Sequence, residues 1–399
     1  MKILQINAVY GVGSTGLIVK DIGDAITSSG NDAFFAYQKA VGEVKNGFLV
    51  GNIFDWKLHG ILCRIFGKQG YYSSASTKNL IKHISEIQPD IVHLHNLHSN
   101  FINLNMLLDY LGKNNISTVI TMHDCWYYTG KCFHYVDANC SGFITGCKNC
   151  PKKNAPPRSY LFDNASKVYN DRKKYLSAIP KLKIVGCSDW ICSESKKGFF
   201  KNFEIERIYN GVDTNIFKPQ NSQNLKSKYN LQNKFVILGM ANKWTLSSNA
   251  SILKKVAEIL DDNTKLLILG CTDEQIKFFE KLSQNIIAVG YITDRTELAL
   301  YYNSADVFVN LTHADTLPTV NMESICCGTP VITYDCCGSP ELVKDGCGIV
   351  VKENDINGII DAINTIKTSN TFICAQIGKD FFDKTNCYNK YLDVYKSLL

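Results

Sequence analysis

Asp315 and Glu323 stand eight positions apart within residues 313–345, the stretch of this sequence in which residue types and spacing point most directly to chemistry. The apolar run 306–310 before them reads as a buried parallel strand. Leu317, Pro318 and Thr319 then supply a turn, with Thr319 placed to cap a short helix that carries Glu323. Gly328 and Pro330 end that helix, 331–333 forms another strand, and Gly338 with Pro340 opens a further turn. A carboxylate thus falls at each end of a strand–turn–helix junction on the carboxyl edge of a sheet. Ligands bind at that edge in open α/β sheets, where helix N-terminal amides favour phosphate. An ordinary βαβ unit whose acids only cap helices accounts for one of the two carboxylates but not for the whole run.

Cys132, Cys140, Cys147 and Cys150 form the second constellation, set in a loop rich in Gly, Asn and Lys. Four thiols with no apolar core to bury them suit a structural zinc better than disulfides in a reducing compartment. Only Cys147 and Cys150 have knuckle spacing, Cys125 or His134 can replace one ligand, and four free thiols are the alternative. The strand 118–122 empties into His123, a histidine placed to hydrogen-bond a sugar or a leaving phosphate. His93, His95 and His98 alternate near the end of another strand. Period-two spacing aligns only the first two, which favours hydrogen bonding near an acceptor over a metal trio. Gly11, Gly13 and Gly16 spell a dinucleotide fingerprint after the first strand, but Gln38 and Lys39 replace the acid that should follow the second.

The elements that must hold these residues are alternating strands and helices. Strands are expected at 2–8, 33–38, 118–122, 183–187 and 204–209, with another in 89–98 that empties into a histidine-rich turn, and a second series at 235–240, 266–270, 286–289, 306–310, 331–333 and 348–351. Helices fall between them, and 375–399 reads as terminal helices. Residues 54–66 place Phe54, Leu58, Ile61, Leu62, Ile65 and Phe66 on one helical face flanked by Lys57, Arg64 and Lys68. Burial against the chain's own sheet is the favoured reading of that face, and contact with a membrane surface the alternative.

At 399 residues the chain exceeds one compact core and suggests two α/β domains. A formal charge of +6 without a run of like charges gives no nucleic-acid tail, and suits anionic ligands or a visit to an acidic membrane surface. Neither a leader nor a membrane-length apolar run is visible, so a cytoplasmic protein is expected, peripheral at the inner face of the membrane.

The pairing of Asp315 with Glu323, together with Cys327 to Val331 and Gly338 to Glu341, resembles the donor-site signature of retaining GT-B glycosyltransferases. The cysteine-rich segment 125–151 resembles one in family 4-like members that build capsular, exopolysaccharide or colanic-acid-type polymers, and 210–219 resembles their interdomain linker. The resemblance implies two Rossmann-like domains facing across a cleft: 1–218 on the acceptor side, 219–380 binding a UDP- or GDP-sugar, and a helix at 381–399 crossing back. It implies transfer of a sugar, with retention, to a glycan or lipid-linked acceptor, without a catalytic metal; no D-x-D motif occurs. A non-catalytic nucleotide-sugar binder in an assembly complex is the alternative.

By position, Glu323 would hold the ribose, Asp315 the donor sugar, and His123 would stand across the cleft. Gly13, Ser14, Thr15 and Gly16 would approach the diphosphate, and Leu317, Pro318 and Thr319 would line the donor. Lys243 stands where the family has an Arg, Ser248 where it has a Lys, and Leu17 where an Arg often follows the glycine loop. The positive clamp on the diphosphate is correspondingly thin.

Overall fold

The computed structural model describes residues 1–369 and 372–399. The chain divides into two units, one of Met1–Asn210 with Thr385–Leu399 and the other of Gly211–Lys384. The first boundary thus falls eight residues before the one expected from sequence.

The first unit contains β1 (Lys2–Ile6), β2 (Asp32–Tyr37), β3 (Gly47–Leu49), β4 (Ile91–Leu94), β5 (Ser117–Met122), β6 (Leu182–Gly186) and β7 (Ile205–Arg207). They form one parallel sheet in the order β3-β2-β1-β4-β5-β6-β7. In the second unit β8 (Phe235–Met240), β9 (Thr264–Leu269), β10 (Ile286–Val289), β11 (Val307–Asn310), β12 (Val331–Tyr334) and β13 (Gly348–Val351) pair in parallel as β10-β9-β8-β11-β12-β13. Both sheets therefore grow outward in two directions from their first strand, the doubly wound plan. Each has a switch point, between β1 and β4 and between β8 and β11, where a crevice opens beyond the strand ends.

The sequence makes this plan by burying its strands on both faces. All four residues of β4, all six of β5 and all four of β11 and β12 are buried, as parallel strands covered by helices must be. The short β3 and the two-residue parallel pair Val9–Tyr10 with Lys39–Ala40 carry too few residues for a periodic signal, and sequence reasoning missed them.

Among the helices, α1 (Gly13–Ser28) follows β1, α2 (Ile53–Phe66) precedes β4, and α3 (Ala165–Ser177) precedes β6. In the second unit α4 (Arg295–Ser304) and α5 (Thr319–Cys326) flank β11. The terminal α6 (Lys384–Lys396) packs its last turns into the first unit: Tyr391 meets Thr121 at 2.9 Å and Tyr395 meets His93 at 2.8 Å.

One expectation is overturned. The apolar face of α2 is not buried: Phe54 is 78% exposed, and Ile53, Leu58 and Ile61 each more than half. The residues α2 turns inward are His59, Gly60 and Cys63, a narrow seam that needs no broad apolar stripe.

Candidate functional site

The second switch point holds a cavity of about 340 Å³. Its floor is made by the ends of β8, β9 and β11, through Met240, Leu269, Gly270 and Asn310. Lys243, Asp315, Pro318 and Thr319, four residues singled out in the sequence, line it together with Tyr291.

Lys243 sits on the single helical turn Ala241–Trp244 that ends β8. That turn is pinned by Trp244, whose indole N–H donates to the Val309 carbonyl at 3.2 Å. Trp244 lies against Gly239, where a Cβ would come within 2.1 Å of the indole nitrogen, so the close fit requires glycine. The Lys243 ammonium donates to Thr312 Oγ1 at 2.9 Å.

Asn249, which sequence reasoning passed over, latches this turn to the loop after β11. Its side-chain amide donates to the carbonyls of Lys243 and Leu311, both at 2.9 Å, and its oxygen accepts from His313 Nε2 at 2.8 Å and from the Tyr334 hydroxyl at 3.2 Å. The other nitrogen of His313 meets Glu353. Asn249 is fully buried, whereas its neighbour Ser248, assigned to the clamp by position, is exposed and is not among the residues lining the cavity. The nearest signal in the sequence was that alignment, one residue off.

Asp315 folds back on its own turn, Oδ1 accepting from the Leu317 amide at 3.1 Å, while its carbonyl accepts from the Gly338 amide at 3.1 Å. The two turns singled out in the sequence are thus one joined structure. Thr316 Oγ1 and Ser339 Oγ, beside that joint, are buried without a partner among the described residues. Thr319 does not cap α5. It is the first helical residue after Pro318, and no side chain caps the helix, which leaves the positive end of α5 at the cavity.

Glu323 does not line the cavity. It lies against α4, accepting from the Tyr302 hydroxyl at 3.1 Å with Arg295 at 3.9 Å. Burial raises its carboxyl to about 7 even though Arg295 and the Tyr302 hydroxyl pull it down.

In the first unit the glycine loop opens α1, with Gly11 and Gly13 at positive φ. Gly16 is buried against Val9 and its carbonyl accepts from the Gly11 amide at 2.9 Å, while Gly13 and Ser14 are exposed and Thr15 is half-buried. His123 Nε2 meets His95 Nδ1 at 3.1 Å, and His95 Nε2 meets Gln5 Oε1 at 3.1 Å. Burial lowers the His123 imidazole to about 4, which keeps it neutral, and its Nδ1 finds no partner among the described residues. His93 and His95 are fully buried with both nitrogens bonded, so neither reaches an acceptor. His98 instead meets Asp124 at 2.9 Å.

Cys132, Cys140, Cys147 and Cys150 line one pocket of about 20 Å³, so the loop gathers all four. As the side chains lie, no three described His, Cys, Asp or Glu groups form an array that could hold a metal. The sulfurs take other partners: Cys147 accepts from the Gly130 amide at 3.1 Å and Cys140 from the Gly142 amide at 3.4 Å. Cys132 bonds Cys150, whose thiol this bond pulls down to about 6. The donor set fits zinc in its chemistry, since backbone N–H groups on sulfur favour thiolate; coordination would require the side chains to turn. Cys125 does not line the pocket and bonds Tyr128.

Residues 54–216 match the family model Glycosyltransferase Family 4, and residues 221–379 match Glycosyl transferases group 1. The chain is 26% identical over 255 residues to WcaC of Escherichia coli (strain K12), named for colanic acid biosynthesis glycosyl transfer; the match covers 61% of this chain and 59% of that relative. Sucrose-phosphate synthase from Thermosynechococcus elongatus superposes with a TM-score of 0.70 at 16% identity, over 100% of this chain and 98% of the other. Anabaena HepE, solved with UDP and glucose, gives 0.63 at 14%, over 100% of both chains. The chain therefore has the GT-B fold, two Rossmann-like α/β domains of which the first carries the family 4 match and the second the group 1 match.

Proposed function

We propose that this chain is a retaining glycosyltransferase that moves a sugar from a UDP- or GDP-sugar to a glycan or lipid-linked oligosaccharide in bacterial surface-polysaccharide synthesis. The observation that carries the reading is the meeting of Lys243, Asp315 and the first turn of α5 in one cavity at the second switch point. Glycosyl transfer must stabilise a departing diphosphate and a cationic sugar centre. Lys243 and the amides opening α5 supply positive charge for the diphosphate without a metal. Thr316 and Ser339 offer buried hydroxyls beside the same turn. Asp315 accepts the donor sugar's hydroxyls; Glu323, outside the lining of the cavity as the side chains lie, is assigned the ribose hydroxyls, which requires it to leave Tyr302 and ionise. Gly13, Ser14, Thr15 and Gly16 are assigned to the diphosphate, and His123, neutral and with Nδ1 unbonded, to a hydroxyl of the sugar.

A mass-spectrometric screen of nucleotide sugars against a lipid-diphosphate extract tests the reading, starting with UDP-sugars because HepE was solved with UDP. Product anomers read by nuclear magnetic resonance test retention; an inverted product sinks that part. The second reading, a nucleotide-sugar binder without turnover, rests on Lys243 being the sole cation among the described residues lining the cavity. Tight nucleotide diphosphate binding with neither transfer nor hydrolysis would favour it.

The cysteine pocket is assigned a structural zinc held by Cys132, Cys140, Cys147 and Cys150, on the support of their shared pocket and of the amides on two sulfurs. Such a metal supplies folding energy rather than chemistry. Elemental analysis of protein purified without added metal is expected to give about one zinc per chain, from the four-ligand stoichiometry of such sites. Four free thiols by titration, with no metal, would defeat the assignment.

A further inference from the structure

The exposed face of α2 is one side of a larger surface. Residues 159–164 run along the C-terminal end of α2, where the Tyr160 amide donates to the Arg64 carbonyl at 2.7 Å and the Asn164 side chain to the Phe66 carbonyl at 2.7 Å. Gly67 permits this approach, because a Cβ there would lie 2.5 Å from Ser159 Oγ. The strap leaves Tyr160, Leu161 and Phe162 at least half exposed, with Phe162 stacked on Phe66 at 5.8 Å. Eight large apolar side chains, namely Ile53, Phe54, Leu58, Ile61, Phe66, Tyr160, Leu161 and Phe162, thus face outward from two adjoining segments. That is more than the scattered single hydrophobes a solvated surface normally shows.

Charge says what covers it. Lys57, Arg64 and Arg158 are exposed on the same two segments. The two acids there are engaged by the protein: Asp55 accepts from the Ser76 hydroxyl at 2.8 Å, and Asp163 from the amides of Cys150 and Ala165. Between α2 and the strap opens a cavity of about 550 Å³ lined by Trp56, Arg64, His98, Asn100, Arg158 and Tyr160. No described helix is long and apolar enough to cross a membrane, so a lipid contact here must lie in the interface. An apolar helical face rimmed by exposed cations, with its two acids held in hydrogen bonds to the protein, is the pattern that sits at an anionic headgroup boundary.

We propose that α2 and residues 158–162 form a docking surface for the anionic face of a phospholipid bilayer, with Arg64 and Arg158 presented to headgroup phosphates at the mouth of the 550 Å³ cavity. The dock deepens the proposed function by bringing the first unit to the surface where a lipid-linked acceptor resides, and rests on that reading only for this purpose.

The test is co-sedimentation of the full chain with vesicles of phosphatidylcholine alone and of phosphatidylcholine mixed with phosphatidylglycerol, followed also by Trp56 fluorescence. Binding is expected to the mixed vesicles, to weaken with salt, and to be slight on the neutral ones. Phe54→Ser with Leu58→Ser, at exposed positions where folding is not at stake, should lower partitioning at least about tenfold. Lys57→Gln and Arg158→Gln should each cost about fivefold, from the attraction of one cation near an anionic surface. Equal pelleting with both vesicle types, no pelleting with either, or variants that bind like wild type would overturn the proposal. So would a concentration-dependent dimer in vesicle-free buffer that Phe54→Ser with Leu58→Ser abolishes, since a second copy would then be the occupant. Donor hydrolysis without vesicles should be equal in wild type and in the apolar double variant. Loss of vesicle binding with hydrolysis retained separates failure of the dock from failure of the enzyme reading.

Discussion

The two sheets of this protein share a strand plan and differ in what they place at the switch point. At the ends of β4 and β5 the first unit gathers imidazoles in two sets of neutral hydrogen bonds, His93 with Thr121 and Tyr395, and His95 with Gln5 and His123. Beyond β8 and β11 the second unit keeps an open cavity with a cation and a carboxylate on its wall. The shared strand plan thus leaves the chemistry to the residues at and after the strand ends. His93 and His95, with both nitrogens bonded, hold a structure in place, whereas a lysine and a helix end facing an open space can receive a phosphate.

The contrast predicts opposite responses to pH, which is the largest effect expected. Burial depresses the His123 imidazole to about 4 from 6.5, so the unfolded chain takes up the proton first. Stability of the first unit is full above pH 6.5 and falls as the pH drops toward 4, by roughly 3 kcal/mol from His123 alone. Glu323 runs the other way: its folded carboxyl is raised to about 7 from 4.5, so stability is full below pH 4.5 and falls as the pH rises through 7, again by roughly 3 kcal/mol. Hydrogen exchange read by mass spectrometry at pH 5 and pH 7.5 follows each unit separately. Parallel trends in both units would break the comparison, and Glu323→Gln should flatten the second.

Next in size is Asn249→Ala, which removes four hydrogen bonds from a fully buried position and leaves carbonyls unpaired. A loss of about 2–3 kcal/mol is expected in the second unit, from the cost of unsatisfied buried groups. Nucleotide diphosphate affinity should fall with it, since Asn249 holds the turn that carries Lys243. A variant destabilised but binding normally would show the latch to be structural only.

Lys243→Ala tests the cavity itself. Charge-assisted bonds to phosphate contribute about 1.5–3 kcal/mol, so transfer should drop about tenfold to a hundredfold with the fold intact. Binding of the nucleotide diphosphate by titration calorimetry reports the same loss, and unchanged binding would place the diphosphate elsewhere. The smallest effect belongs to Ser248→Lys. The alignment implies that this cation restores the clamp, but Ser248 is exposed and outside the cavity's lining. A change in affinity below about twofold is expected, the scale of a solvated charge; marked tightening would return Ser248 to the site.

The sequence by itself determined the strands, because a parallel strand must be a short continuous apolar run when helices cover it; expected and observed bounds coincide at 235–240, whose interior is buried, and also at the half-buried edge strands 286–289 and 348–351. It also located the turns around Asp315 and Gly338, since Pro and Gly restrict or free the backbone wherever they stand. Only the tertiary structure joined those turns, found Asn249 latching the Lys243 turn to the loop after β11, and gathered four cysteines from a loop with little regular structure. It alone decided the fate of α2. A 3.6-residue period tells that one face of a helix is apolar, but whether protein covers that face depends on segments distant in the chain, here a strap a hundred residues away that packs on the end of α2 and leaves its face outward.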